Sequence, residues 1–263
     1  MSASHDRPAK LPNPRMLAWL GALLVFVAIT QPALAKCQDS PAPRVDWTAC
    51  SKSMLVLTDE DFAAGVFSRA VLTGTDFRRS NLAGAKFDGS EVSQTRFERA
   101  NLSGASFAKA VGWRSNLNQA NLENADFQSA DLSRSVFVGA RLTRANFVKA
   151  EVNRSDFTNA DLTGADMARA ELARVNFTNA RLAGVSFSRS NLSRAKLNAQ
   201  DLREVDLSGA YLFLTRLHGA DLSQAKGLVQ SQLDIACGSP ETKLPAGLSR
   251  PQSWPCGEED EAP

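Results

Sequence analysis

Every fifth residue from Phe62 to Leu222 is large and apolar, with Gly112 the lone break; of these 33 sites, 12 are Phe, 17 Leu, 2 Val and one is Met167. An α-helix repeats every 3.6 residues and a strand every two, so an unbroken beat of five fits neither and marks an internal repeat. A second rule runs two residues ahead of each large site. There, 18 of the 33 residues are Ala and most others are Ser, Thr, Val or Gly, with Glu60 and Gln200 as the violations. The other three residues of each unit are mostly Asn, Asp, Arg, Ser, Thr and Gly, so two positions in five point inward and three face water. A chain that turns inward so regularly must coil around itself.

The units Ala120-Asn121-Leu122, Ala130-Asp131-Leu132, Ala160-Asp161-Leu162-Thr163-Gly164 and Ala220-Asp221-Leu222-Ser223 resemble the pentapeptide-repeat family, whose motif is A-[DN]-L-x-x, over about 165 of the 263 residues. The resemblance implies an all-β fold: a right-handed quadrilateral parallel β-helix of about eight coils, each with four five-residue sides, closed by short irregular or helical caps. Phe spacing agrees with four sides. Phe67, Phe77, Phe87, Phe97 and Phe107 recur every ten residues, as do Phe127 to Phe157, which puts Phe on two opposite walls and Leu and Val on the other two. Coils about 4.8 Å apart would lay Phe on Phe and Leu on Leu.

Five segments follow along the chain: a signal peptide over 1–35, an N-terminal cap over 36–59, the solenoid over 60–226, a C-terminal cap over 227–257 and a disordered acidic tail over 258–263. The signal reading rests on Arg7, Lys10 and Arg15 ahead of the apolar run Met16 to Ile29, with Ala33-Leu34-Ala35 as a cleavage site. Cleavage after Ala35 would place the protein in a bacterial periplasm or outside the cell. An uncleaved anchor is the rival, and would be the chain's only membrane contact. Pro32 and the Ala-Leu-Ala triplet favour cleavage.

Cys37 and Cys50 precede the repeats and Cys237 and Cys256 follow them. The implied stack puts roughly 40 Å between the two pairs, whereas bonded Cα atoms lie within about 7 Å. Of three connectivities, only 37–50 with 237–256 fits that architecture, and these bridges would staple the ends of the stack. Residues 37–50 resemble the disulfide-closed leader of secreted family members, with Trp47 covering the first coil. A short helix is expected from Gln230 to Cys237. Leu244-Pro245-Ala246-Gly247-Leu248 and Trp254-Pro255-Cys256 form a lid by the same resemblance.

The chain holds 30 basic and 28 acidic residues, and residues 1–35 hold three of the basic and one of the acidic, so the remainder is neutral. Neutrality opposes nucleic-acid binding, which needs a basic surface, and opposes DNA mimicry, which needs an acidic one. Arg114, Arg134, Arg154, Arg174 and Arg194 recur every twenty residues and would stand in one column, with Asp131, Glu151 and Glu171 in a neighbouring column. The plain reading, taken as the default, is an ion-pair ladder. The sharper one is a recognition strip for an acidic protein or an anionic envelope polymer.

At Gly112 the sequence suggests a local bulge in which Trp113 or Val111 folds over the gap, or else an exposed aromatic contact site. Tyr211, Phe213 and Leu214 form a second outward apolar cluster, expected under the C-terminal lid and otherwise a dimer or partner surface. Catalysis has little raw material. Beyond residue 35, His218 and Tyr211 are the single His and Tyr, the Cys spacing is not a zinc pattern, and 33 units run without an inserted loop. No cofactor or metal is expected.

The leading functional reading is therefore a non-catalytic exported solenoid, monomeric or weakly dimeric, that binds an unknown protein or an envelope polymer. Some proteins it resembles protect DNA gyrase from quinolones by imitating DNA. The export signal, paired cysteines and neutral charge depart from that type. A polysaccharide-acting β-helix enzyme is the third reading.

Overall fold

The computed structural model describes residues 37–256, so the signal segment read over 1–35 and the acidic tail over 258–263 lie outside the described residues. Within them the backbone repeats a five-residue cycle: a β-bridge residue, an extended residue, two turn residues and a lead into the next bridge. Numbered in that order, Asp131, Leu132, Ser133, Arg134 and Ser135 fill positions one to five of one unit. The bridges are parallel and, up to Lys226, join position-one residues twenty apart, as in Asp46↔Val66, Asp131↔Glu151 and Asp206↔Lys226. Four units therefore close one coil, and successive coils stack in register.

Hydrogen bonding explains why the unit has the composition it has. Leu132 and Arg134, at positions two and four, donate to the next coil, to Glu151 O at 2.7 Å and Asn153 O at 2.8 Å. Asp131, at position one, donates to Ala110 O of the preceding coil at 2.9 Å, and Ser135 closes the turn onto Leu132 O at 3.1 Å. Only the position-three N–H lacks a ladder partner. It is taken by the side chain of position one: Ser133 N–H donates to Asp131 Oδ1 at 3.1 Å, and Thr163 N–H to Asp161 Oδ1 at 3.1 Å. Asn and Asp recur at position one because their side-chain oxygen reaches the backbone group two residues on, which satisfies a donor the ladder leaves unpaired.

Position four takes the left-handed conformation that the third residue of a type II turn requires. Gly139 has φ 65° there, and Arg134 adopts φ 62° despite its side chain. Positions two and five fill the interior. Stacked rings climb each Phe wall, with centroids 4.5 Å apart for Phe137–Phe157 and 4.6 Å for Phe87–Phe107. Rings from opposite walls meet edge-on, as do Phe97 and Phe107 at 5.8 Å and 87°, the geometry that ring quadrupoles favour. Small residues at position five leave room for these rings. Where position five is Ser, its hydroxyl donates to a carbonyl of the preceding coil, as Ser135 does to Gly112 O at 2.9 Å and Ser155 to Leu132 O at 3.0 Å, or of its own turn, as Ser90 does to Phe87 O at 2.7 Å and Ser190 to Phe187 O at 2.8 Å.

The ladder begins earlier than the boundary read at residue 60. Asp46, Ser51 and Val56 already bridge to Val66, Val71 and Asp76, and Trp47 occupies a position-two site, 1% exposed and edge-on to Phe62 and Phe67 at 5.5 and 5.7 Å. The apolar beat hides this coil because Lys52 stands at the next large site, its ammonium 4.1 Å from the centre of the Trp47 ring. Disulfides Cys37–Cys50 and Cys237–Cys256 close the two ends, each with Cα atoms 5.5 Å apart.

The C-terminal helix, α1, spans Gln230–Leu233. It is shorter than the segment to Cys237 expected from sequence because Cys237 rejoins the ladder, donating to Thr215 O at 2.9 Å and accepting from Leu217 N–H at 2.7 Å. The amide of Gln232 caps the last coil, donating to Leu207 O and Ala210 O, both at 2.8 Å. Trp254 lies flat on Gly238, where an added Cβ would sit 2.2 Å from the ring. Among the described residues no helix is long and apolar enough to cross a membrane.

Candidate binding wall

One wall of the stack carries the features the sequence singled out. Its axis is traced by the bridges Val111↔Asp131, Asp131↔Glu151, Glu151↔Glu171, Glu171↔Asn191 and Asn191↔Tyr211. Trp113 and Phe213, at position three, thus stand on the same face five coils apart, about 24 Å at strand spacing. Between them the position-three residues are Ser133, Asn153, Ala173 and Ser193. These small side chains leave a flat floor.

Arg114, Arg134, Arg154, Arg174 and Arg194 line one side of the floor, each at position four with φ between 58° and 62°. The left-handed corner aims them away from the interior, as expected of one of the three water-facing residues of each unit, and the Gly and Asn that share position four elsewhere mark the same corner. Among the described residues none of the five makes an ion pair, which corrects the default expectation of an ion-pair ladder. The physical reason is positional. The two position-four arginines that do form ion pairs elsewhere reach an acid at position three or four of the preceding coil, Arg144 reaching Glu123 at 2.5 Å and Arg79 reaching Asp59 at 2.5 Å. This wall places its acids at position one. There Asp131 is engaged by Ser133 N–H and by the Trp113 indole N–H, and Glu171 accepts from the Asn191 amide at 2.8 Å.

Gly112 does not bulge. Its N–H stays on the ladder, 2.7 Å from Asp131 O, and its missing side chain is replaced along the axis: an added Cβ would lie 2.5 Å from Leu132 Cδ2 and 2.8 Å from Val92 Cγ2. Trp113 and Val111 are accordingly free to face out, 55% and 41% exposed. A shallow groove of about 540 Å³ opens beside the indole, lined by Gln94, Trp113, Arg114, Asp131, Ser133 and Arg134 among others. At the far end Tyr211 and Phe213 stack with centroids 6.2 Å apart, 51% and 40% exposed. The C-terminal lid does not cover them, because it packs over Gly238 and Ala236 instead.

The opposite wall holds a second irregularity. Its bridges run from Arg141↔Asp161 to Asp161↔Arg181 and resume at Asp201↔Asp221, with no bridge between Arg181 and Asp201. Gln200, the long residue at a small site, is buried at this break, 7% exposed, and a cleft of about 620 Å³ opens beside Arg181 and Arg203. There the hydrogen bonds from the Arg203 side chain and backbone hold the Asp201 carboxyl down at about 2. His218, the lone candidate acid–base residue, lies on neither surface. Among the described residues no cluster of His, Cys, Asp and Glu is placed to hold a metal.

A family model described as a pentapeptide repeat region matches residues 113–187 and 130–207, and one described as pentapeptide repeats matches 66–104 and 190–226. Among solved structures, a trypsin-treated variant of QnrB1, a plasmid-mediated fluoroquinolone resistance protein, is 20% identical with TM-score 0.52, over 73% of this chain and 92% of that one. HetL, a pentapeptide repeat protein involved in heterocyst differentiation regulation in the cyanobacterium Nostoc sp. strain PCC 7120, is 23% identical with TM-score 0.38, over 75% and 92%. The QnrB1 likeness bears on the fold alone. No curated protein matches this chain.

Proposed function

Because this chain belongs to the pentapeptide-repeat family, we propose that it is a non-catalytic, exported solenoid of about eight right-handed square coils that binds a partner along one rigid wall. The observation that carries this reading is the column of five guanidinium groups without ion pairs, framed at its ends by exposed Trp113 and by Tyr211 and Phe213. Like charges one coil apart repel by up to about 1 kcal/mol per neighbouring pair even in water. An arrangement that raises the free energy of the free protein in this way becomes favourable when an anionic partner neutralises it.

Export is supported by the signal-like residues 1–35 and by the two disulfides, which persist in oxidising compartments. Topoisomerase protection by DNA mimicry is disfavoured, since an Arg column is the opposite of an acidic DNA-like face. A polysaccharide-acting enzyme is disfavoured because, among the described residues, the corners of the repeats carry no inserted loop to build a deep cleft. The test is capture from the bacterial envelope fraction with the tagged full-length chain, in parallel with the R134S/R154S/R174S variant. Retention of the same envelope component by both would overturn the reading; its loss from the variant alone is the result expected.

A further inference from the structure

We infer that the wall between Trp113 and Phe213 binds an acidic polysaccharide, laid along the stack axis with its carboxylates on the Arg column. This rests on the binding-wall reading above and names its ligand class. Three features of the wall act together.

The first is register. Successive arginines are one coil apart, about 4.8 Å, which is roughly the length of one pyranose unit in an extended glycan. A hexuronan therefore advances about one sugar per coil and, where alternate sugars are turned over along the chain, presents a carboxylate to the column at every second coil, where a guanidinium takes it in bidentate fashion.

The second is the pair of aromatic ends. The apolar face of a pyranose ring stacks on an exposed aromatic ring, and Trp113 is held ready for this by its hydrogen bond to Asp131. Phe213 and Tyr211 provide the equivalent platform five coils on. The floor between them, Ser133 to Ser193, has no side chain large enough to obstruct a chain lying across it.

The third feature discriminates among polyanions. Asp131, Glu151 and Glu171 run along the position-one side of the same floor. A chain that is anionic on all sides, such as an acidic polypeptide or a polyphosphate, is repelled by that column. A sugar acid is not, because its hydroxyls donate hydrogen bonds to those carboxylates while its own carboxylates turn to the arginines. A wall basic on one edge and acidic on the other matches a polymer with anionic groups and donors on different edges.

The experiment is calorimetric titration of the purified full-length chain with polygalacturonate, alginate and hyaluronate, with poly-L-glutamate and dextran as an acidic non-sugar and a neutral sugar. Saturable binding to at least one acidic glycan is expected, at least tenfold tighter than to either control. Trp113→Ala should weaken it by tenfold or more, and R134S/R154S/R174S should abolish it, neither with a lowered melting temperature. Poly-L-glutamate binding as tightly as the glycans, an unaffected Trp113→Ala variant, or no binding to any of the three glycans would overturn the inference. Those outcomes leave the envelope-capture result standing, so the two failures are separable.

Discussion

The indole N–H of Trp113 donates to the carboxylate of Asp131, eighteen residues later in sequence and one coil further along the stack. The same carboxylate caps the Ser133 turn through its other oxygen. One side chain thus joins the fold's repeating turn chemistry to the orientation of the wall's most exposed aromatic ring.

Asp131→Ala should accordingly release Trp113. In protein labelled with 5-fluorotryptophan, the resonance of this exposed ring should shift and sharpen while those of buried Trp47 and Trp254 stay in place. Loss of the turn bond should lower stability by about 1 kcal/mol. An unmoved Trp113 resonance would show that the ring is held by something else.

Interior packing gives a sharper contrast. Phe147 is fully buried and stacks on Phe127 at 4.6 Å, so Phe147→Ala should cost about 3–5 kcal/mol. Ala145→Leu, which overfills position five, should cost about 1–3 kcal/mol. Denaturant titrations check both, and wild-type midpoints would refute the inward assignment.

Gly112 allows the family rule to be tested against this particular stack. Gly112→Leu restores the five-residue beat, yet its side chain would enter space already held by Leu132 and Val92. A loss of about 1–3 kcal/mol is expected. Stabilisation would mean that the gap is a true cavity.

Asp76 contributes to the pH dependence of stability. Its side chain is 2% exposed and paired with Arg78 at 2.7 Å and Arg96 at 2.6 Å. Burial pushes its carboxyl up, but the Arg78 hydrogen bonds and both guanidinium charges outweigh this and hold it below the usual range. A depressed value means stability fully present above the unfolded value of about 4 and lost as pH falls through the folded one. Asp76→Asn should destabilise by about 1–3 kcal/mol at neutral pH and flatten the acid limb of the stability curve. A variant whose acid limb parallels the wild type would contradict this assignment.

Much of the fold is legible in sequence because its period is imposed by packing: Phe, Leu and Ala recur where the interior demands them. Signals fade where one residue breaks the pattern for a local reason. Lys52 masks the first coil because its stem can lie on Trp47, and Gly112 invites a bulge because axial neighbours that fill a gap are invisible along a chain. The Arg column illustrates a different limit. Spacing correctly places Arg134 over Arg114, but whether Arg134 meets Asp131 depends on which position of the turn each occupies, and only the left-handed corner shows that position-four and position-one side chains diverge. Gln200 was visible as a violation; the missing bridge beside it was not.

The central claim is that the five arginines are there to bind and not to brace. Thermal melting of R134S/R154S/R174S against wild type tests it most directly, since no ion pair is lost and like-charge repulsion is relieved. The account predicts an equal or higher melting temperature together with loss of the envelope partner. A lower melting temperature would return the column to a structural role and contradict the account.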